Sequence, residues 1–124
     1  MSAVIERLPV LLAAVVVTAA GLAVRAFTGG ALAKYGGVAL YACLVYVIVL
    51  LFAPRARPSL VAPVALGVCW AIEFAQLTPV PAALSEHGVL LRLVFGTTFS
   101  PPDLLWYAVG VAAAFAPHTV TRRR

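Results

Sequence analysis

Acidic side chains are nearly missing from this chain: Asp and Glu total four in 124 residues, and with nine Lys and Arg the charged fraction is only 10%. An ordinary soluble domain is about a quarter charged, so the chain has too little charge to cover a water-facing globule. Intrinsic disorder is excluded by the same composition, because 64% of the residues are hydrophobic and disorder requires the reverse. Cysteine is scarce as well. Cys43 and Cys69 each stand alone in an apolar run, with no CxxC spacing and no Cys/His ligand cluster. That pattern predicts two buried free thiols and neither a metal nor a cofactor. His87 and His118 lack the i, i+4 spacing that would put two imidazoles on one metal. The net charge of +5 is not arranged as a basic stripe interleaved with aromatics, so nucleic acid is not an expected partner.

What the chain has in quantity is apolar length. Four runs, at about 8–24, 35–53, 60–78 and 103–118, are separated by short polar or proline-containing punctuation such as Pro54-Arg55-Ala56-Arg57-Pro58. Crossing roughly 30 Å of hydrocarbon at 1.5 Å per residue takes about 20 residues. The first three runs suffice and the fourth is short. Nothing alternates with period two as a barrel would, and open sheet edges are not tolerated in lipid. The expected fold is therefore all-α: one transmembrane domain over residues 1–124, an integral membrane four-helix bundle. Small residues at Ala13-Ala14, Ala19-Ala20-Gly21 and Ala112-Ala113-Ala114 suit close helix packing.

The longest connection, 79–102, mixes Leu90, Leu91, Leu93, Val94 and Phe95 with Glu86, His87 and Arg92. It is too polar to span and too apolar to float, so it is expected to form a short interfacial helix or re-entrant loop. Counting bases on each side of four spans gives six on one (Arg7, Arg55, Arg57, Arg122, Arg123, Arg124) and three on the other (Arg25, Lys34, Arg92). Both termini then face the cytoplasm and the long loop faces outward, in the cell membrane with anionic lipid as a partner. The first run is read as a retained helix rather than a cleaved signal peptide. It exceeds the usual apolar core of about 7 to 15 residues, and Glu6 stands beside Arg7 at its head.

Two of the four acids occupy costly positions. Glu73 lies inside the third run, with Gln76 on the same face one turn later. A carboxylate at the centre of a membrane helix costs on the order of 2.5 to 3.5 kcal/mol by insertion scales, and less near the interface. Arg92 is the first cation available on that side, with Arg25 and Lys34 next. Asp103 opens the fourth helix, where it favours the helix dipole and can cap backbone N–H groups. Tyr107 and Gly110 follow at i+4 and i+7 on its face. Glu73, Gln76, Arg92, Asp103 and Tyr107 are thus expected to form an outward polar cluster. Each also has a plain structural reading: Asp103 as a cap, Gln76 as interhelical glue, Tyr107 or Trp106 as an interfacial belt residue, and Glu73 with Arg92 as an ion pair. Ser100 has no placed histidine base, so nucleophilic catalysis has no specific support.

In order, Lys34-Tyr35-x-Gly37, Leu40-Tyr41, Glu73-x-x-Gln76, Leu91-Arg92, Phe95-Gly96, Phe99, Asp103-Leu104, Tyr107 and Gly110 resemble a bacterial family of small membrane proteins of unknown function, related to the VanZ-like family. The resemblance covers about residues 34–112. It implies four or five membrane helices, a Glu-x-x-Gln on one, an Arg in the following loop and an Asp opening the last. Carried over, these are Glu73, Gln76, Arg92 and Asp103. One departure is Val38, where relatives often place an acid after the glycine. VanZ-like proteins are associated with tolerance of glycopeptide antibiotics, so the resemblance implies an envelope ligand. The leading expectation is a non-enzymatic membrane protein that binds an envelope lipid headgroup or glycopeptide-like molecule through this cluster. The alternatives are a small proton-coupled transporter, working as a homo-oligomer, and a structural subunit of a larger membrane complex.

Overall fold

The computed structural model describes residues 3–95 and 101–122. Its elements, in order, are α1 (Ala3–Phe27), α2 (Gly30–Phe52), α3 (Pro58–Ala75), α4 (Val80–Ser85), α5 (Val89–Phe95) and α6 (Pro101–Arg122), with no strand among the described residues. Three segments, Arg7–Phe27, Gly30–Phe52 and Pro58–Ala75, are long and apolar enough to cross a membrane. The last helix, α6, matches them in length at 22 residues. Its apolar character is diluted by Pro101, Pro102, Asp103, Pro117 and His118. The long connection is not one element but two short helices, α4 and α5, which pack on each other.

Helix ends differ from the sequence expectation by a few residues, for local reasons. The start of α2 lies at Gly30, five residues before the expected Tyr35, because Gly29 is extended and Gly30 turns the chain at φ +61°. That left-handed backbone suits glycine. The end of α3 comes at Ala75 rather than Thr78. Beyond it Gln76, Leu77 and Thr78 donate to the carbonyls three residues back, and the Thr78 hydroxyl also bonds the Ala75 carbonyl. Such tighter bonds consume the orphan carbonyls of a helix end. At the start of α6, Pro101 and Pro102 are the first two helical residues, where a missing N–H costs nothing. Asp103 therefore sits in the first turn, favouring the dipole, rather than at the cap.

Packing centres on α2, which contacts α1, α3 and α6, while α3 also contacts α6. Ala42 and Tyr46 of α2, Val61, Ala65 and Cys69 of α3, and Tyr107 and Val111 of α6 form the core. Outward faces remain apolar: Leu12, Val15, Leu60 and Leu105 are exposed, the pattern of a surface solvated by lipid rather than water. Cross-links fix the relative directions. Arg7 Nε donates to the Leu51 carbonyl at 2.8 Å, and Tyr46 Oη lies 2.6 Å from His118 Nδ1, so the start of α1 and the ends of α2 and α6 share one end. At the other end Tyr35 stacks on Trp106 with centroids 5.5 Å apart. Hence α2 and α6 run parallel, with α3 antiparallel to both. Arg123 and Arg124, two of the six bases counted toward the cytoplasmic side, lie outside the described residues.

Candidate functional site

The site begins with how closely α6 approaches α2. A Cβ placed on Gly110 would lie 2.1 Å from the Ala39 carbonyl oxygen and 2.9 Å from the Ala42 Cβ. Only glycine permits this approach, and small residues at membrane helix interfaces serve this purpose. The contact is reinforced by Cys43, whose thiol donates to the Gly110 carbonyl at 3.1 Å. One turn earlier on α6 comes Tyr107, 6% exposed, with its ring 6.1 Å from that of Tyr41. Its hydroxyl donates to Glu73 Oε2 at 3.0 Å.

Glu73 is 1% exposed and is among the largest fully buried side chains of the protein. The bond from Tyr107 offsets part of the cost of placing a carboxylate there. On the same pair of helices, Trp70 Nε1 donates to the Leu104 carbonyl at 3.1 Å. That bond sets α3 against the first turn of α6. Asp103, 8% exposed, lies one turn above Tyr107.

These residues open onto a cleft of about 730 Å³. Glu73 and Gln76 line it from the end of α3, and Asp103 and Tyr107 from α6. The α1–α2 hairpin contributes Arg25 and Lys34, together with Tyr41. Val17, Leu22, Val38, Leu40 and Leu44 make the apolar part, and Leu90 reaches it from α5. Lys34 and Leu44 are ten residues apart on one helix, which at 1.5 Å per residue is about 15 Å, half a hydrocarbon core. Arg25 and Lys34 stand near the α1–α2 turn, whereas Glu73 and Tyr107 lie at the depth of Tyr41, with Val17, Thr18 and Leu44 farther from the turn. Among the described residues its lining includes no histidine, serine or cysteine, and no group of three or more His, Cys, Asp or Glu is placed to hold a metal ion.

Four of the five residues expected to converge do so at this cleft: Glu73, Gln76, Asp103 and Tyr107. Arg92 lies elsewhere, on an exposed position of α5, and does not line the cleft. Arg25 and Lys34, second choices by sequence, are the basic residues that do. Ser100, Gly96 and Phe99 lie outside the described residues. Tyr41 falls outside the cluster expected from sequence, although Lys34, Val38 and Tyr41 at i, i+4 and i+7 mark one face of α2.

The family model described as a protein of unknown function, DUF2809, matches residues 27–111. No curated protein and no solved structure matches the chain. The chain belongs to this family. Its matched segment runs from the α1–α2 turn to one residue past Gly110, and so takes in every polar residue of the cleft except Thr18 and Arg25.

Proposed function

We propose that this family member is a multi-pass protein of the bacterial cell membrane that binds an amphiphilic envelope component in its cleft without transforming it. The reading takes α6 as a fourth span, both termini as cytoplasmic and the α4–α5 connection as an interfacial element on the outer side. The observation that carries it is the mixed lining of the cleft: about 730 Å³, with Arg25, Lys34, Gln76 and Asp103 toward the turn, Glu73 and Tyr107 at the depth of Tyr41, and Val17, Leu40 and Leu44 as apolar wall. That size falls within the range of small-molecule sites. A headgroup fits toward the turn and an acyl or prenyl chain along the apolar wall. Lipid-linked headgroups and glycopeptide-like molecules both have this character, the ligand class that the sequence resemblance to VanZ-like proteins implies. The two carboxylates of the lining, Glu73 and Asp103, are what acid–base turnover could draw on, and the proposal assigns them to binding.

The test is genetic and biochemical together. Glu73→Gln and Asp103→Asn, expressed at wild-type levels, should abolish any envelope-stress or antibiotic-tolerance phenotype of the gene and lower the recovery of amphiphiles with the purified protein. Unchanged phenotype and unchanged lipid recovery in both variants would sink the proposal. A second reading, proton-coupled transport, draws on the buried Glu73 carboxylate beside the cleft, since intramembrane carboxylates commonly serve as proton relays. Proteoliposomes under an imposed pH gradient separate the two. Substrate-dependent proton flux that disappears in Glu73→Gln supports transport instead.

A further inference from the structure

The two short helices of the long connection hold chiefly to each other. Among the described residues, α4 and α5 are each other's main partner, and neither packs on a long helix as the long helices pack on one another. Leu77, Val80, Val89 and Leu90 are exposed, whereas Leu84 and Leu91 are half-buried. An element with few buried apolar contacts belongs to the low-stability end of a structure, from which lids are drawn. Its attachment to α3 is local. The N–H groups of Gln76, Leu77 and Thr78 reach back to carbonyls of the last turn of α3, and Val80 N–H donates to Thr78 Oγ1 at 3.4 Å. Between α4 and α5 the chain turns at Gly88, with φ +157° and open space around it, a backbone suited to glycine.

Two residues tie this hairpin to the cleft. Leu90, in the first turn of α5, lines the cleft and is nevertheless 73% exposed, so it stands at the opening uncovered. Gln76, which ends α3 and begins the link to α4, lines the same cleft. We propose that the α4–α5 hairpin is a lid, seen here open, that moves about the Gln76–Pro79 link and carries Leu90 into the cleft over a bound amphiphile. This rests on the binding role proposed above and adds the regulation of access to that site. Closure brings Leu90 into a space already walled by Leu22, Val38 and Leu40. A chain lying there supplies apolar surface that the empty cleft lacks, so burial favours the closed form once the cleft is filled. Closing over an occupant also slows its escape, as lids over other binding sites do.

The experiment has two arms on the full chain. In a variant lacking Cys43 and Cys69, spin labels at Leu22→Cys and Leu90→Cys report the distance from α1 to α5 by pulsed EPR. It is measured in nanodiscs of phosphatidylethanolamine and phosphatidylglycerol, and again in delipidating detergent. A population shorter by about 5 Å, one turn of helix, is expected in the nanodiscs and not in the detergent. In the second arm, native mass spectrometry follows exchange of the lipid that copurifies. Leu90→Ser should exchange about tenfold faster or more, the worth of one buried leucine. Val80→Ser should exchange at the wild-type rate, because Val80 is exposed and does not line the cleft. Both variants should melt with the wild type. One unchanged distance in both media makes the hairpin a fixed interfacial element and overturns the lid, as does wild-type exchange in Leu90→Ser. If no lipid copurifies with the wild type, the binding role fails; a distance that still shortens in nanodiscs then supports the lid without it.

Discussion

Replacing Gly110 with alanine adds one methyl group at the closest approach of α2 and α6. That carbon would sit 2.1 Å from the Ala39 carbonyl oxygen, 2.8 Å from its carbon and 2.9 Å from the Ala42 Cβ. Two of these three atoms are backbone, so no rotamer change relieves the contact. Restoring an ordinary separation of 3.4 Å or more requires the two helices to part locally by about 1.3 Å, since tightly packed interiors transmit such strain rather than absorb it. A displacement of that size strains the Cys43–Gly110 bond, now 3.1 Å, and the Tyr107–Glu73 bond, now 3.0 Å. Overpacking of this kind costs typically about 1–3 kcal/mol, and losing the buried bond adds up to about 1.7 kcal/mol on membrane-protein scales. The expected fall in apparent Tm of the detergent-purified protein is on the order of 5 °C or more. Gly67→Ala is the control, because a Cβ there meets nothing within 4 Å and alanine is the better helix former. It should melt at or slightly above the wild type. A Gly110→Ala protein that melts with Gly67→Ala would refute the argument, for it would mean that α6 does not seat on Ala39.

Tyr107→Phe removes only the hydroxyl that donates to Glu73; it should cost about 0.6 to 1.7 kcal/mol, read as earlier unfolding in a denaturant titration, and should lower amphiphile retention. Arg92→Ala should leave retention unchanged, because Arg92 is exposed on α5 and away from the cleft. Loss of binding in that variant would place Arg92 in the site after all. Cysteines introduced one at a time into a variant lacking Cys43 and Cys69 report topology by labelling intact cells. His87→Cys should react with an impermeant thiol reagent from outside, and Arg57→Cys only after permeabilisation; the opposite pattern inverts the orientation.

Much of the architecture was legible because the bilayer leaves few alternatives. Apolar length and proline punctuation located all four long helices, and Pro54 and Pro58 marked the turn between α2 and α3. Residue spacing placed Tyr107 with Asp103, and the scarcity of acids pointed at Glu73. Other features depend on approach distances, which no single helix records. Gly110 stood out only as a face-sharing residue, although its consequence lies in the Ala39 carbonyl on another helix. Arg92 looked like the partner of Glu73 because a loop cation is free to point anywhere. The chain instead folds α4 and α5 against each other and leaves Arg92 exposed, while the hairpin brings Arg25 and Lys34 to the cleft. The early end of α3 at Ala75 depends on three consecutive tightened bonds, a choice that composition does not encode.

The parallel course of α2 and α6, with α3 returning between them in sequence, also orders the making of the protein. During synthesis the chain emerges from its N-terminus, so the hairpin carrying Arg25 and Lys34 is complete long before Tyr107 exists. Until α6 arrives, Glu73 lacks the hydroxyl that binds it and the Gly110 seat against Ala39 is empty. The nascent α3 then holds its carboxylate without that donor, in a segment where a charge costs up to about 2.5–3.5 kcal/mol at the bilayer centre. A polypeptide stopped before residue 101 would therefore lack both the Tyr107 donor to Glu73 and the Gly110 seat on Ala39, so the polar site is completed only by the last helix to be made.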